Sequence, residues 1–567
     1  MTNWQFWIDR GGTFTDIVAR RPDGGFASAK LLSENPEHYA DAATAGIRQL
    51  LGLGHDEPLP SHAIDSIRMG TTVATNALLE RRGEPVLLLV DQGLGDLLTI
   101  GNQTRPRLFD LDIRLPTPLF DRVAEVGGRI DIEGRTIVPL DEAATLAMLS
   151  RHREEGLSAC AIALIHGWKY PAAELRLAEL AWQAGFTQIS VSHKVSALAG
   201  LVARGSTTVI DAYLSPVLRD YVDRIAGQVG DTRLFFMQSN GGLTGHERFR
   251  GKDAILSGPA GGVVGAARTA EAAGFNHIIG FDMGGTSTDV ALYAGALERV
   301  IDAEIAGAQV RVPMIAVHTV AAGGGSILHF DGARLRVGPE SAGANPGPAC
   351  YRRGGPLTLT DANLMLGKIS PDGFPAIFGP HADELLDREA AEKGFAILAQ
   401  EVAAATGSPV DPRALAEDFV HIAVANMARA IKEVSTSRGH DAANFTLQCF
   451  GGAGGQHACL VAEELGIPRV LLHPFAGVLS AYGMGLADQR ELRRSGVERA
   501  LDAASHADMT VLAEALADEA RAVLVRELGA ADVTMTSRAL LRYAGTDTAL
   551  DVALGSIAAM RGEFEAA

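Results

Sequence analysis

Asp9 and Asp282 open the same phrase. The chain reads "DRGGTFTD" at 9–16 and "DMGGTSTD" at 282–289, 273 positions further on, with identity at Asp9/Asp282, Gly11/Gly284, Gly12/Gly285, Thr13/Thr286, Thr15/Thr288 and Asp16/Asp289. A carboxylate repels phosphate, but it can hold Mg2+ through the ion's waters or orient a nucleophile. Glycines leave backbone N–H groups open to anionic oxygens, and a threonine hydroxyl adds a donor. The shared chemistry is phosphate and Mg2+ binding. Asp9, Asp282, Asp16 and Asp289 are the catalytic candidates, with Asp9 and Asp282 as metal ligands. Gly11, Gly12, Thr13, Gly284, Gly285 and Thr286 are the phosphate candidates. In each copy an apolar run ends in Asp, two glycines permit positive φ and a tight turn, and the next strand follows, so each copy predicts a β-hairpin. One such hairpin is a common turn; two, in two halves of a chain, can grip a triphosphate from both sides.

Other glycine clusters follow apolar runs. "TVAAGGGS" carries Gly323 and Gly324, and "CFGGAGGQHA" carries Gly451, Gly452, Gly454 and Gly455 between a strand-like "FTLQCF" and a helix-like "HACLVAEELG". The second lacks the third glycine of a dinucleotide fingerprint, having His457 there, and no G-x-x-x-x-G-K-[ST] occurs in the chain. It is expected to set a helix N-terminus against a nucleotide's ribose or α-phosphate. "MGTTVATNALLERRG" predicts a helix capped by Thr71 or Thr72 and followed by Gly83. Thr71, Thr72, Thr75 and Asn76 place more hydrogen-bonding groups there than capping needs, and are the substrate candidates. "VGPESAGANPGPACYRRGGP" at 337–356 reads as a long Pro/Gly loop containing Cys350, which has no base near it in sequence.

The elements that must hold these groups alternate. "PVLLLV" and "ACAIALI" read as strands, and "DEAATLAMLSRHREEG" and "MTVLAEALADEARAVLVRELG" as helices. "ALLRYAGTDTALDVAL" reads as strand, turn, strand. The 567 residues are too many for one ordinary core. With 47% hydrophobic residues, 21% charged and 64 glycines, the chain reads as a large α/β protein with many tight turns. A net charge of −18, from 68 acidic and 50 basic residues, excludes a generic phosphate-backbone surface and so nucleic acid. The four cysteines show no metal-ligand spacing and suit a reducing cytoplasm. No apolar run approaches the roughly 18 residues that span a bilayer, so no membrane is expected.

Two Asp-x-Gly-Gly-Thr hairpins and a glycine loop resemble the actin-like ATPase superfamily. In detail, "IDRGGTFTD", "KLLSENPEHYADAATAGIR", "GTTVATNALLER", "LSGPAGGVVG", "FDMGGTSTDV", "TVAAGGGS", "VGPESAGANPGPACYRRGGPLTLTDANLMLG" and "CFGGAGGQHA" resemble the hydantoinase A/5-oxoprolinase family, nearest to the ATP-using half of 5-oxoprolinase. The resemblance implies an α/β fold of two actin-like (ribonuclease H-like) lobes around a nucleotide cleft, with a partial C-terminal α+β domain. The corresponding segments are 1–195, 196–490 and 491–567. It also implies ATP and Mg2+ as cofactors, an oligomer, a lactam substrate and a hydantoinase B-like half or subunit that bears the hydrolytic centre. In that scheme the amide oxygen of 5-oxo-L-proline is phosphorylated and water opens the ring to L-glutamate. The chain departs from the family pattern at Asp91, Gln92 and Asn240. Related lineages act on hydantoins or caprolactam, or serve acetone-type carboxylases; an actin-like assembly or chaperone ATPase would share the hairpins without the substrate. The end of the chain, "MRGEFEAA", is expected to continue in a fuller protein into more of the C-terminal domain and then the B-like half.

Overall fold

The computed structural model describes every residue except 1, 2, 13, 36, 104–108, 375, 382, 530, 531, 547 and 567. Thr13 therefore lies outside the described residues. Within them the chain builds one sheet twice, in two α/β lobes. In the first lobe the hairpin Trp4–Arg10/Phe14–Arg20 extends antiparallel to Phe26–Leu32 on one side. On the other it runs parallel to Ile64–Thr71, which is followed by Arg233–Met237 and the short edge strand Leu243–Gly245. In the second, His277–Met283/Thr288–Ala294 extends antiparallel to His318–Val320 and parallel to Thr446–Phe450 and then Val470–Leu472. Both sheets thus carry their five common strands in the order third, second, first, fourth, fifth. Their central strands are buried on both faces, as at Phe6, Trp7 and Ile8 or Ile278 and Ile279, which is why they read as nearly continuous apolar runs.

The chain order is not the sheet order. Arg233–Met237 and Leu243–Gly245 complete the first sheet although they lie beyond residue 195. A separate all-parallel sheet of Gln188–Val191, Ala159–Ile162, Val86–Asp91 and Arg122–Val126 is inserted between, around its own core of Leu87, Leu89, Ile162, Leu177 and Phe186. Its helix Glu142–Glu154 starts where expected, with Asp141 accepting the Ala144 N–H. After residue 500 a helix, Ala503–Leu528, and the hairpin Arg538–Leu541/Leu550–Ala553 match the sequence reading; they share a small core of Ala539, Val552 and Met560 with the helix Ile557–Ala566.

Two helices join the lobes. Ser257–Ala272 and Leu479–Leu486 pack with Trp7, Val18 and Met237 of the first lobe and Ala291 of the second. They cross at backbone contact: a Cβ on Gly483 would lie 2.0 Å from the Gly261 carbonyl oxygen and 2.7 Å from the Gly265 nitrogen. Gly261 and Gly265 of "LSGPAGGVVG" are there so that the two helices can touch.

Two local expectations fail for physical reasons. None of Gly11, Gly12, Gly284 and Gly285 has positive φ. The turns close instead by matching bonds, Gly11 N–H to Phe14 O and Gly284 N–H to Ser287 O, each 3.0 Å. At Gly11 it is space that forbids a side chain, since a Cβ would sit 2.9 Å from Phe14 O. The 337–356 stretch is not all loop either. Leu335–Ser341 is a strand paired with Ser326–Phe330, and Pro/Gly content concealed it.

Candidate active site

Each hairpin ends in two carboxylates on one face, because residues opposite one another in an antiparallel pair share a side. Asp9 faces Asp16 and Asp282 faces Asp289. The ladder continues to the third strand of each sheet, where Lys30 lies opposite Asp16 and Thr319 opposite Asp289. Lys30 Nζ is 2.5 Å from Asp16 Oδ1, and the Thr319 hydroxyl donates to Asp289 Oδ1 at 2.7 Å. Sequence reading missed both partners: the third strands do not share the repeated phrase, and only sheet register reveals them.

One helix brings the two rows together. At its start, the Cβ position of Gly258 is 3.3 Å from Asp9 Oδ1; one turn later that of Gly262 is 3.5 Å from Asp282 Oδ2. Four residues advance a helix by about 6 Å, so the two carboxylates occupy adjacent stations on a single rod. Burial, then Asp16, pushes the Asp9 carboxyl up to about 7, with Lys30 opposing. Burial, then Asp289, Asp9 and Asp16, pushes Asp282 up to about 8, again against Lys30. Asp16 and Asp289 are also raised by burial, moderated by Lys30 and Thr319 respectively. The carboxylates of the two lobes thus form one half-buried acidic row.

That row fits a hard cation. Asp9 Oδ1 is sealed from solvent and has no hydrogen-bond partner, and no side chain on Gly70 or Gly258 fills the space beside it. Among the described residues no three His, Cys, Asp or Glu side chains form a metal cage by themselves. The cavities of about 440 and 470 Å3, one lined by His318, Thr319 and Arg429 and the other by Tyr39, Asp41 and Arg48, contain none of the four aspartates.

The loops after the fourth strands are equivalent in the two lobes. Beside Asp9, Ile64–Thr71 leads into the helix Val73–Leu79; beside Asp282, Thr446–Phe450 leads into the glycine loop and the helix Ala458–Leu465. Gly451 meets two demands, a φ of 81° and a Cβ position only 2.3 Å from Asp282 Oδ1. Gly452 and Gly455 are exposed, while Gly454 is buried with its Cβ position 2.8 Å from Cys449 Sγ. Among the substrate candidates, Thr72 sits at the N-cap without a side-chain capping bond, Thr71 just before it is fully buried with its hydroxyl accepting the Val73 N–H, and Gly83 lies beyond the helix end against the Tyr213 ring. The Thr72 hydroxyl donates to Arg10 O, Thr75 accepts the Leu256 N–H, and Asn76 donates to Thr72. Thr72, Thr75 and Asn76 are half-buried around the first turn.

Gly323 and Gly324 do not present free N–H groups. They donate to Ser326 Oγ and Gly284 O, so the "AAGGG" loop is laced onto the back of the second turn. Thr286 is exposed at the tip of that turn.

Family-profile comparison matches two regions: the hydantoinase/oxoprolinase N-terminal region at residues 5–185 and the hydantoinase/oxoprolinase domain at 204–493. The chain belongs to the hydantoinase/oxoprolinase family. It is 42% identical to 5-oxoprolinase 1 of Arabidopsis thaliana over 97% of its own length and 46% of that protein's, so it spans about half the length of the 5-oxoprolinases it matches. It is 37% identical to the caprolactamase subunit alpha of Pseudomonas jessenii, covering 86% of this chain and 70% of that subunit. The solved structure of the ATP-dependent caprolactamase from the same organism superposes with a TM-score of 0.83 at 32% identity, covering 99% of this chain and 83% of that one.

Within this hydantoinase/oxoprolinase chain, the short helix Leu359–Met365 supports both glycine loops. Thr360 donates to Gly324 O, and the Asn363 amide donates to Gln456 and lies 2.9 Å from His457 Nε2. Asp361 gathers the N–H groups of Ala349, Cys350 and Thr358. Burial, then Lys368, pushes the His457 imidazole down to about 4, which keeps it neutral behind the loop. The Cys350 thiol is buried against Asp361 and pushed far up, which ends any reading of it as a nucleophile. Asp91 accepts the Ile165 N–H and Asn240 accepts the Gly242 N–H, so two of the three departures from the family pattern anchor backbone.

Proposed function

We propose that this chain is the ATP-using component of a cyclic-amide hydrolase that phosphorylates the amide oxygen of 5-oxo-L-proline, working with a hydantoinase B-like half or subunit in the cytoplasm. The observation that carries the reading is the pair of half-buried aspartates, Asp9 and Asp282, set one turn apart along a single helix beside two turns closed by matching bonds. Identity to 5-oxoprolinases over nearly the whole chain supports the choice of lactam. The four free cysteines suit a reducing compartment.

The roles follow from placement. Asp9 and Asp282 would hold Mg2+ through its waters, and the ion would neutralise charge on the β- and γ-phosphates when bound. Gly12, Thr13, Gly285 and Thr286 donate N–H and hydroxyl groups to phosphate oxygens, while Gly11 and Gly284, whose N–H groups close the turns, shape them. Gly323 and Gly324 stiffen the second turn. Exposed Gly452 and Gly455 let the adenosine approach the N-terminus of Ala458–Leu465, while Gly451 and Gly454 make room for Asp282 and Cys449 behind the loop. Thr72, Thr75 and Asn76 orient the lactam, with Thr71 fixing their helix. Asp16 and Asp289 hold the carboxylate rows in place. A lactam carbonyl is a poor electrophile. Its oxygen attacks the γ-phosphorus, ADP leaves, and the activated ring carbon then accepts water, giving L-glutamate and phosphate. The water step belongs to the B-like half.

The test is ATP turnover with 5-oxo-L-proline, hydantoin or caprolactam, with and without that half. The chain alone is expected to bind ATP and open little 5-oxoproline, and addition of the B-like half to restore coupled glutamate formation. ATP turnover indifferent to every lactam would point to a shape-changing ATPase and overturn the proposal.

A further inference from the structure

The two aspartate rows match until their third member. In the second lobe Asp289 is held by a neutral hydroxyl, Thr319, at 2.7 Å; in the first, Asp16 is held by an ammonium, Lys30, at 2.5 Å. Holding a carboxylate in register needs only the hydroxyl, as the second lobe demonstrates. Nor does the ion pair contribute much stability, since the Lys30 side chain is 48% exposed and such pairs are worth about 0–1 kcal/mol. The cation therefore has another use.

Its surroundings indicate which. Nζ stands 5.2 Å over the ring of Phe14, the residue that closes the first turn by accepting the Gly11 N–H. Sheet register sets it opposite Asp16, which in turn faces Asp9, so the ammonium stands beside the first lobe's carboxylate row. An ammonium has three N–H donors, and Asp16 takes one.

We propose that Lys30, tethered by Asp16, is a catalytic residue that binds the transferring phosphoryl group and follows it from ATP to the lactam. This rests on the phosphoryl-transfer reading above. In the step, a lone pair of the lactam carbonyl oxygen forms the new O–P bond while the bond from the γ-phosphorus to the bridging oxygen breaks. That electron pair leaves on ADP, and the lactam N–H proton passes to solvent as the imidate phosphate forms. Charge stays spread over the three equatorial oxygens throughout. A compact ammonium with free donors can keep contact with them while its third bond stays on Asp16.

The experiment measures calorimetric affinity for MgATP and MgADP in the full chain and in Lys30→Met, Lys30→Arg, Asp16→Asn and Lys30→Met/Asp16→Asn, each checked by thermal melting. Lys30→Met is expected to lose at least about tenfold in MgATP affinity with MgADP within about twofold, and Lys30→Arg to keep most of it. With the B-like half present, Lys30→Met should lose about 100-fold in kcat. The double variant separates the alternatives. If Lys30 only neutralises Asp16, removing both charges restores MgATP affinity and overturns the proposal; if it binds phosphoryl, the double variant stays defective. Unchanged discrimination between ATP and ADP in Lys30→Met also overturns it. A wild-type chain that binds neither nucleotide would defeat the phosphoryl-transfer reading itself.

Discussion

Asp9 and Asp282 are expensive residues for the folded chain. Each carboxyl is pushed above its ordinary 3.8, to about 7 and about 8, chiefly by burial. The folded state therefore holds these protons more tightly than the unfolded chain does. The stability they contribute is complete below about pH 4 and is lost as pH rises through 7 to 8. Without ligand, the protein is expected to melt lower at about pH 8.5 than at about pH 6. Asp9→Asn or Asp282→Asn should recover about 2 kcal/mol at the higher pH, a rise of a few degrees, while lactam-dependent ATP turnover disappears. Melting curves at both pH values, with a turnover assay, check this; equal melting of variants and wild type at the higher pH would mean that these carboxylates are not desolvated.

At the scale of elements, the decisive feature is two helices in backbone contact. Ser257–Ala272 carries both aspartate stations on one face and meets Leu479–Leu486 on another, where Gly483 admits no Cβ because the Gly261 carbonyl lies 2.0 Å from its position. Gly483→Ala must push the helices apart, and neither obstacle is a flexible side chain. The expected cost is about 2–3 kcal/mol. Because the same helix sets the spacing of Asp9 and Asp282, MgATP affinity should fall even at temperatures where the variant is folded. Urea titration and calorimetry measure the two effects; a loss of stability with unaltered affinity would uncouple the crossing from the site. Ala272, at the far end of the same helix, offers a control away from the crossing.

At the scale of the molecule, the proposed reaction requires that a phosphorylated amide be kept from bulk water, or ATP is consumed without ring opening. The two Gly-Gly turns belong to different lobes, joined through the two crossing helices, so nucleotide binding to both is expected to draw the lobes together. Small-angle scattering with a non-hydrolysable ATP analogue should show the radius of gyration falling by about 1 Å from roughly 24 Å. An unchanged radius with the analogue demonstrably bound would exclude closure.

The repeated Asp-x-Gly-Gly-Thr-x-Thr-Asp phrase by itself determined that there are two hairpins and that each ends in a pair of carboxylates. Those facts reside in eight consecutive residues, where side-chain type and strand alternation suffice. Strand-to-helix rhythm likewise disclosed Glu142–Glu154 and the Arg538–Leu541/Leu550–Ala553 hairpin. Tertiary structure alone decided what lies across strands and helices. Lys30 and Thr319 join the aspartate rows only through sheet register, and Arg233–Met237 completes a sheet begun more than 200 residues earlier. Gly258 and Gly262 become site residues only because their helix passes both aspartates, and Asn363 only because its helix backs the glycine loop. Local patterns encode an element and its faces; which faces meet is set by burying them all at once, and that is a property of the whole chain.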